Sequence, residues 1–116
     1  MATDGTRLLM CDGNNNRILI WTSLPDDKNV LPDLVLGQPD VNGNDPGTGL
    51  DEINWPVAVS VGDNGTPIVV ADTYNNRLLI WKSVATSNGQ AADYAIQGHS
   101  VTKSNEIPAV ATGNFA

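Results

Sequence analysis

The chain has 116 residues, about the size of one domain, and 41% of them are hydrophobic whereas only 16% are charged. Its 6 Lys and Arg residues against 13 Asp and Glu residues give a net charge of −7, which argues against nucleic acid or an anionic membrane surface as a partner. The single cysteine, Cys11, cannot form an intrachain disulfide, and the absence of a long apolar run or a signal peptide predicts a soluble chain, cytoplasmic if the sequence is complete.

An internal repeat organises the chain. At an offset of 60 residues, segment 5–23 (GTRLLMCDGNNNRILIWTS) and segment 65–83 (GTPIVVADTYNNRLLIWKS) share ten of nineteen residues. The shared residues include an Asp-x-x-Asn-Asn-Arg motif and a Leu-Ile-Trp run, so both copies are predicted to have the same structure. We treat residues 1–116 as a single unit built from these two copies.

The first copy is predicted to be an incomplete antiparallel sheet. Its second strand covers residues 7–11, and a third and a fourth strand follow within residues 5–37. Only four residues precede the turn at Gly5, which leaves no room for a first strand. The sequence therefore predicts that this sheet lacks one strand.

The linker at 39–52 (PDVNGNDPGTGLDE) is the best candidate for a binding loop. Strand alternation places it at the same end of the sheets as Asp12 and Asp72, so acidic groups are expected to gather there. A cation or a basic partner would suit this surface, whereas the alternative is a solvated acidic loop that only keeps the protein soluble. The candidate binding residues are Asp40, Asn42, Asn44, Asp45, Asp51, Glu52 and Trp55.

The second copy, residues 53–98, is predicted to be a complete sheet of four antiparallel strands at 56–61, 67–71, 77–82 and 94–96. In the third strand Leu78 and Ile80 alternate with Leu79 and Trp81, so both faces of the sheet are apolar. Such a sheet is expected to lie between two neighbours, as a blade does in a β-propeller. Trp21 and Trp81 are therefore expected to pack between blades rather than to stack on a ligand.

The repeated motif is predicted to be structural, because Asp and Asn stabilise tight turns and Arg can pair with Asp across the reversal. A polar ligand site is the alternative. The motif residues are Asp12, Asn15, Asn16 and Arg17 in the first copy, and Asp72, Asn75, Asn76 and Arg77 in the second.

Near the end of the chain, residues 107–112 echo residues 55–60 and are predicted to form a first strand with nothing after it. Segment 105–116 is therefore expected to complete the three-stranded sheet of a neighbouring chain. The predicted contact joins Arg7, Leu8, Leu9, Met10 and Cys11 to Pro108, Ala109, Val110, Ala111 and Thr112.

Residues 55–81 (WPVAVSVGDNGTPIVVADTYNNRLLIW) and 11–21 (CDGNNNRILIW) resemble the NHL repeat, and Leu-Gly-Gln-Pro-Asp at 36–40 is similar to a stretch of bacterial NHL proteins. The second copy departs from that stretch at 96–100. The resemblance implies four-stranded blades in a β-propeller, commonly six-bladed, and hence a homotrimer of two-bladed chains. It also implies binding of proteins, nucleic acid or small ligands in most members and metal-dependent catalysis in a few.

Catalysis has little support in the sequence. His99 is the only histidine, no metal-ligand motif accompanies it, and segments 56–61 and 108–112 contain no His, Asp or Glu. We therefore predict a non-catalytic module without a cofactor or a metal, assembled from copies of itself, that binds an unknown protein or small ligand. The alternatives are part of a metal-dependent propeller enzyme of lyase or lactonase type, or a fragment of a longer propeller protein.

Overall fold

The computed structural model describes residues 1–98, 100–103 and 113–114, and these form two antiparallel β-sheets without an α-helix. None of these residues belongs to a helix long and apolar enough to cross a bilayer. The all-β prediction is confirmed. Sheet 1 contains β1 (Ala2–Thr3), β2 (Leu8–Asp12), β3 (Arg17–Trp21) and β4 (Leu34–Leu36), and sheet 2 contains β5 (Pro56–Val61), β6 (Ile68–Asp72), β7 (Arg77–Trp81), β8 (Tyr94–Gln97), β9 (Ser100–Lys103) and β10 (Gly113–Asn114).

The sequence repeat is also a structural repeat. Asp12, the last residue of β2, pairs with Arg17, the first residue of β3. In the same way Asp72, the last residue of β6, pairs with Arg77, the first residue of β7. Each reversal closes on an asparagine in the left-handed region, Asn16 at φ 55° and Asn76 at φ 53°. Asparagine tolerates this conformation better than most residues, which explains why both copies have it there.

The prediction that sheet 1 lacks its first strand needs correction. Ala2 and Thr3 pair with Leu9 and Leu8, as Ser60 and Val61 pair with Val69 and Ile68 in sheet 2. The end of a first strand is therefore present. It fits because the turn needs only residues 4–7, with Gly5 at φ 92° and the backbone N–H groups of Thr6 and Arg7 donating to Asp4 Oδ1 at 2.9 and 2.7 Å.

Sheet 2 has six strands where four were predicted. The four expected strands are present in the order β5-β6-β7-β8, and the hairpin of β9 and β10 extends the sheet beyond β8. Gly113 and Asn114 pair with Val101 and Ser100 of the same chain, although segment 105–116 was expected to join a neighbour. The edge of β8 offers unpaired backbone groups, and β9 satisfies them. The first strand expected at 108–112, with His99, lies outside the described residues.

The core lies between the two sheets. Cross-strand pairing divides each sheet into an A face, which carries Leu9 and Ile18 in sheet 1 and their counterparts Val69 and Leu78 in sheet 2, and an opposite B face. The A face of sheet 1 packs on the B face of sheet 2, where Val70 and its neighbours are fully buried. The principal core residues are Leu9, Ile18, Ile20, Leu36, Ile53, Ile68, Val70, Leu79 and Trp81.

The two repeat tryptophans differ in their surroundings. Both donate their indole N–H to the loop that follows, Trp81 to Gln90 O and Trp21 to Val30 O, each at 2.8 Å. Trp81 is fully buried in the core between the sheets, as predicted. Trp21 lies on the B face of sheet 1, which faces away from sheet 2, so its position between blades is not shown.

Candidate functional site

The motif of sheet 2 is a buried ion-pair network. Arg77 Nε donates to Asp72 Oδ2 at 2.7 Å, and Asn75 Nδ2 donates to the same oxygen at 2.9 Å. The other carboxylate oxygen accepts the backbone N–H of Asn54 at 2.7 Å. Asp72 is fully buried, so these partners compensate for the loss of its hydration.

The motif of sheet 1 repeats this pairing with more exposure to solvent. Arg17 Nε donates to Asp12 Oδ2 at 2.9 Å, and Asn15 Nδ2 contacts both carboxylate oxygens at 3.1 Å. The Asp12 and Arg17 side chains are 24% and 18% exposed, against 0% and 9% for Asp72 and Arg77. The predicted ion pair across each reversal is therefore present in both copies.

Both motif arginines also hold the linker. Arg77 donates from Nη1 to Thr48 O at 2.9 Å and from Nη2 to Gly49 O at 2.7 Å and Glu52 O at 3.0 Å. Arg17 donates from Nη1 to Val41 O and Gly43 O. The linker thus lies at the same end of the sheets as both motifs, as predicted. These bonds fix backbone carbonyls, while the acidic side chains of the linker stay exposed and Glu52 Oε1 accepts the Gly49 N–H at 2.9 Å.

Asn16 and Gln38 complete the support of the linker. Asn16 Nδ2 donates to Asn44 O at 3.0 Å, and Asn16 Oδ1 accepts the N–H of Trp55 at 2.9 Å. Gln38 brackets Asp45, because its Nε2 donates to Asp45 O at 2.6 Å and its Oε1 accepts the Asp45 N–H at 3.2 Å. Both residues are buried, and their hydrogen bonds position the loop.

A cleft of about 430 Å³ opens beside the linker. Three predicted site residues line it, namely Asp45, Asp51 and Glu52, and all three are exposed. Asp40, Asn42 and Asn44 lie outside its lining; Asp40 Oδ1 instead accepts the Asn42 N–H at 2.9 Å in a local turn. Sequence reasoning missed Gln38, Asn88 and Gly89 as lining residues. The Asn88-Gly89 pair is nevertheless a strong turn signal.

Trp55 forms an exposed aromatic pair with Tyr74, which sequence reasoning also missed. Their ring centroids are 5.7 Å apart with 17° between the planes. Trp55 is 38% exposed and Tyr74 64% exposed, and Trp55 has a φ of 59°, held by the bond to Asn16. Large aromatic side chains exposed together on an ordered loop are typical of binding surfaces.

Loop 82–93 forms the other wall of the cleft and joins the two repeats. Gly89 N donates to Val35 O at 2.9 Å, and Asn88 Oδ1 accepts the Val35 N–H at 3.0 Å, so the loop pairs with the free edge of β4. Ala92 N donates to Leu50 O at 2.8 Å. The cleft is therefore built by both repeats and the linker together.

The described residues contain no group of three His, Cys, Asp or Glu side chains arranged to hold a metal ion. Cys11 is half-buried on β2, and burial raises the pKa of its thiol, so the thiolate is scarce at neutral pH. The surface beside the linker presents carboxylates, amides and aromatic rings.

Comparison of the chain with protein-family models, with curated proteins and with solved structures gave no match.

Proposed function

We propose that the chain is a non-catalytic binding module of the NHL-propeller type, in which each repeat forms one blade and the linker presents the recognition surface. The four-stranded order β5-β6-β7-β8 and the stacking of sheet 1 on sheet 2 support the blade interpretation. Six blades, as the resemblance implies, would require a trimer of this chain. The partner that the surface suits best is a basic segment of another protein.

The observation that carries this proposal is the use of both motif arginines to fix the linker backbone. Because Arg17 and Arg77 bind its carbonyl groups, the loop is ordered before any partner arrives. A preordered loop loses less conformational entropy on binding, which strengthens the interaction. Asp45, Asp51 and Glu52 then offer three carboxylates along one cleft, which complements a peptide rich in Lys or Arg.

The aromatic pair adds a second reason to favour a basic partner. Trp55 lies three residues after Glu52, and its ring and that of Tyr74 are both accessible. Cations bind over aromatic faces, and Arg stacks on them especially well. An arginine side chain could therefore contact the rings while neighbouring basic residues reach the cleft.

Calorimetric titration with a synthetic peptide of alternating Arg and Gly tests this function. The triple variant D45N/D51N/E52Q keeps the shape of the cleft and should weaken binding at least about tenfold, since each lost charge pair is worth roughly 0.5 kcal/mol or more at a partly desolvated site. The control variant D26N/D27N/D63N removes the same charge from exposed positions elsewhere and should change the affinity less than about threefold. Equal effects of the two triple variants, or no binding to the wild-type chain, would contradict the proposal.

A further inference from the structure

We infer that a second copy of this chain docks head to tail on the first. The B face of sheet 1 of the second copy then lies on the A face of sheet 2 of the first copy. This inference deepens the propeller proposal, because it states which surfaces join one two-bladed chain to the next. It starts from the interface inside the chain, where the A face of sheet 1 covers the B face of sheet 2.

Each sheet has an open face, the one that the other sheet does not cover: the B face of sheet 1 and the A face of sheet 2. At the repeat offset of 60 residues, the residues of these open faces correspond to the residues of the two faces buried between the sheets. The A face of sheet 1 has its counterpart 60 residues later on the open face of sheet 2, where Leu78 is 41% exposed and Val69 and Ile80 are half-buried. Likewise, Ile68, Val70 and Leu79 on the buried face of sheet 2 correspond to Leu8, Met10 and Leu19 on the open face of sheet 1.

The open faces are thus apolar at the positions where the internal interface is apolar. The strand pairings are also the same in the two sheets, with Leu9 opposite Ile20 and Val69 opposite Ile80. A second copy can therefore repeat the geometry that already joins the two sheets, and no new type of contact is needed. A contact between different faces is heterologous, so it propagates into a ring or a filament.

Loop 22–33 supports the same direction of docking. Its counterpart in the second copy, loop 82–93, crosses to sheet 1 and covers β4 through Asn88 and Gly89. In the first copy, Leu24, Val30 and Leu31 are 52%, 40% and 81% exposed, which leaves apolar side chains on a loop whose counterpart has a partner. A second copy that contributes its sheet 2 would cover Leu24 and Val30, whose counterparts Val84 and Gln90 are half-buried, whereas the counterpart of Leu31, Ala91, is exposed.

The edge of sheet 2 limits this docking in one respect. In sheet 1, the edge of β4 at Val35 pairs with loop 82–93. In sheet 2, the corresponding residue of β8, Ala95, is already paired with Thr102 of β9. Loop 22–33 of the incoming copy therefore meets β9 instead of β8. The two sheet faces and Leu24 carry the interaction.

Sedimentation velocity on full-length variants at about 0.15 M salt tests the inference. We expect the wild-type chain to self-associate, and expect Met10→Asp and Leu78→Asp each to raise the dissociation constant at least about tenfold, because each places an uncompensated charge in the contact. Val41→Asp, an exposed apolar residue outside both faces, is the matched control and should associate like the wild type. A wild-type chain that stays monomeric would overturn the inference.

Mixing the variants distinguishes head-to-tail docking from contact between identical faces. A Leu78→Asp chain keeps the open face of sheet 1, and a Met10→Asp chain keeps that of sheet 2, so an equimolar mixture should form a 1:1 complex of near wild-type affinity. A mixture that remains monomeric would contradict the inference. Leu24→Asp, at a side chain that is 52% exposed, replaces Met10→Asp should that variant not fold.

Failure of this docking is separable from failure of the proposed binding function. The Leu78→Asp variant leaves the linker and the cleft unchanged, so it should bind the Arg-Gly peptide with the affinity of the wild-type chain. Binding without self-association would reject the docking alone.

Discussion

At the scale of single residues, the two copies of the motif share their ion pair and differ in what surrounds it. Asp72 accepts a third bond from the Asn54 N–H and is fully buried, while Asp12 is partly exposed to solvent. Removing one partner of a buried pair leaves a charge without compensation, which costs more than removing one at the surface. The same substitution should therefore have unequal effects in the two copies.

The first prediction compares Arg77→Ala with Arg17→Ala. We expect Arg77→Ala to lower the free energy of unfolding by about 3 kcal/mol, and Arg17→Ala by about 1.5 kcal/mol. Denaturant unfolding followed by tryptophan fluorescence measures both. Equal losses, or a larger loss for Arg17→Ala, would contradict the assignment of the buried network to sheet 2.

The second prediction concerns pH and the turn at Asp4. The N–H groups of Arg7 and Thr6, with the Arg7 guanidinium, lower the pKa of Asp4 to about 2. A lowered pKa in the folded state stabilises the fold above the ordinary pKa of the carboxyl group and loses that effect as pH falls through the folded value. The melting-temperature difference between wild type and Asp4→Asn should thus be constant above about pH 4 and shrink toward pH 2. A melting-temperature difference that stays constant from about pH 4 to about pH 2 would contradict the lowered pKa of Asp4.

At the scale of elements, much of sheet 2 follows from the sequence alone. β5 matches its predicted bounds of 56–61, and β7 and β8 differ from theirs by one residue at the end, because alternating apolar residues between Gly, Asn and Asp turns define strands well. β1 was missed since two residues give no periodic pattern, although Asp4 and Gly5 are recognisable turn residues. β9 and β10 were also missed, because they come at and after residues 96–100, where the second copy departs from the first.

The candidate site was predictable only in part. The acidic character of the linker follows from composition, and its position at the same end of the sheets as the motifs follows from strand alternation. The structure places Asp45, Asp51 and Glu52 together at the cleft. Its supports could not be predicted, because Asn88 and Tyr74 reach it through contacts distant in sequence and the bonds from Gln38 to Asp45 depend on how the linker folds back. Only the folded positions of both repeats bring those side chains to the linker.

The third prediction tests the loop that joins the repeats. Gly89 has a φ of 66°, and a Cβ there would lie 3.0 Å from Gln38 O, whereas Gly98 has a φ of 59° and no atom of the described residues lies within 4 Å of a Cβ there. Gly98→Ala should cost only the left-handed strain of about 1 kcal/mol, and Gly89→Ala roughly 1 kcal/mol more. Thermal unfolding of both variants measures the difference, and equal melting temperatures would argue against the contact between the loop and sheet 1.

At the scale of the whole molecule, each sheet has one apolar face covered by the other sheet and one that the other sheet does not cover. Leu78 on sheet 2 is 41% exposed, and Leu24 and Leu31 in loop 22–33 are 52% and 81% exposed. The net charge of −7 keeps single chains apart at low salt, so association should strengthen as salt screens that repulsion. This dependence separates apolar docking from an interaction between charges.

The central claim is that the two sheets are repeat units whose open faces join one chain to another, and the mass of the wild-type chain in solution tests it most directly. Light scattering across a concentration series should give a mass that rises above 12.3 kDa toward a whole-number multiple of it, three chains if six blades close the ring. A mass of 12.3 kDa at every concentration, with the sheets folded, would contradict the account.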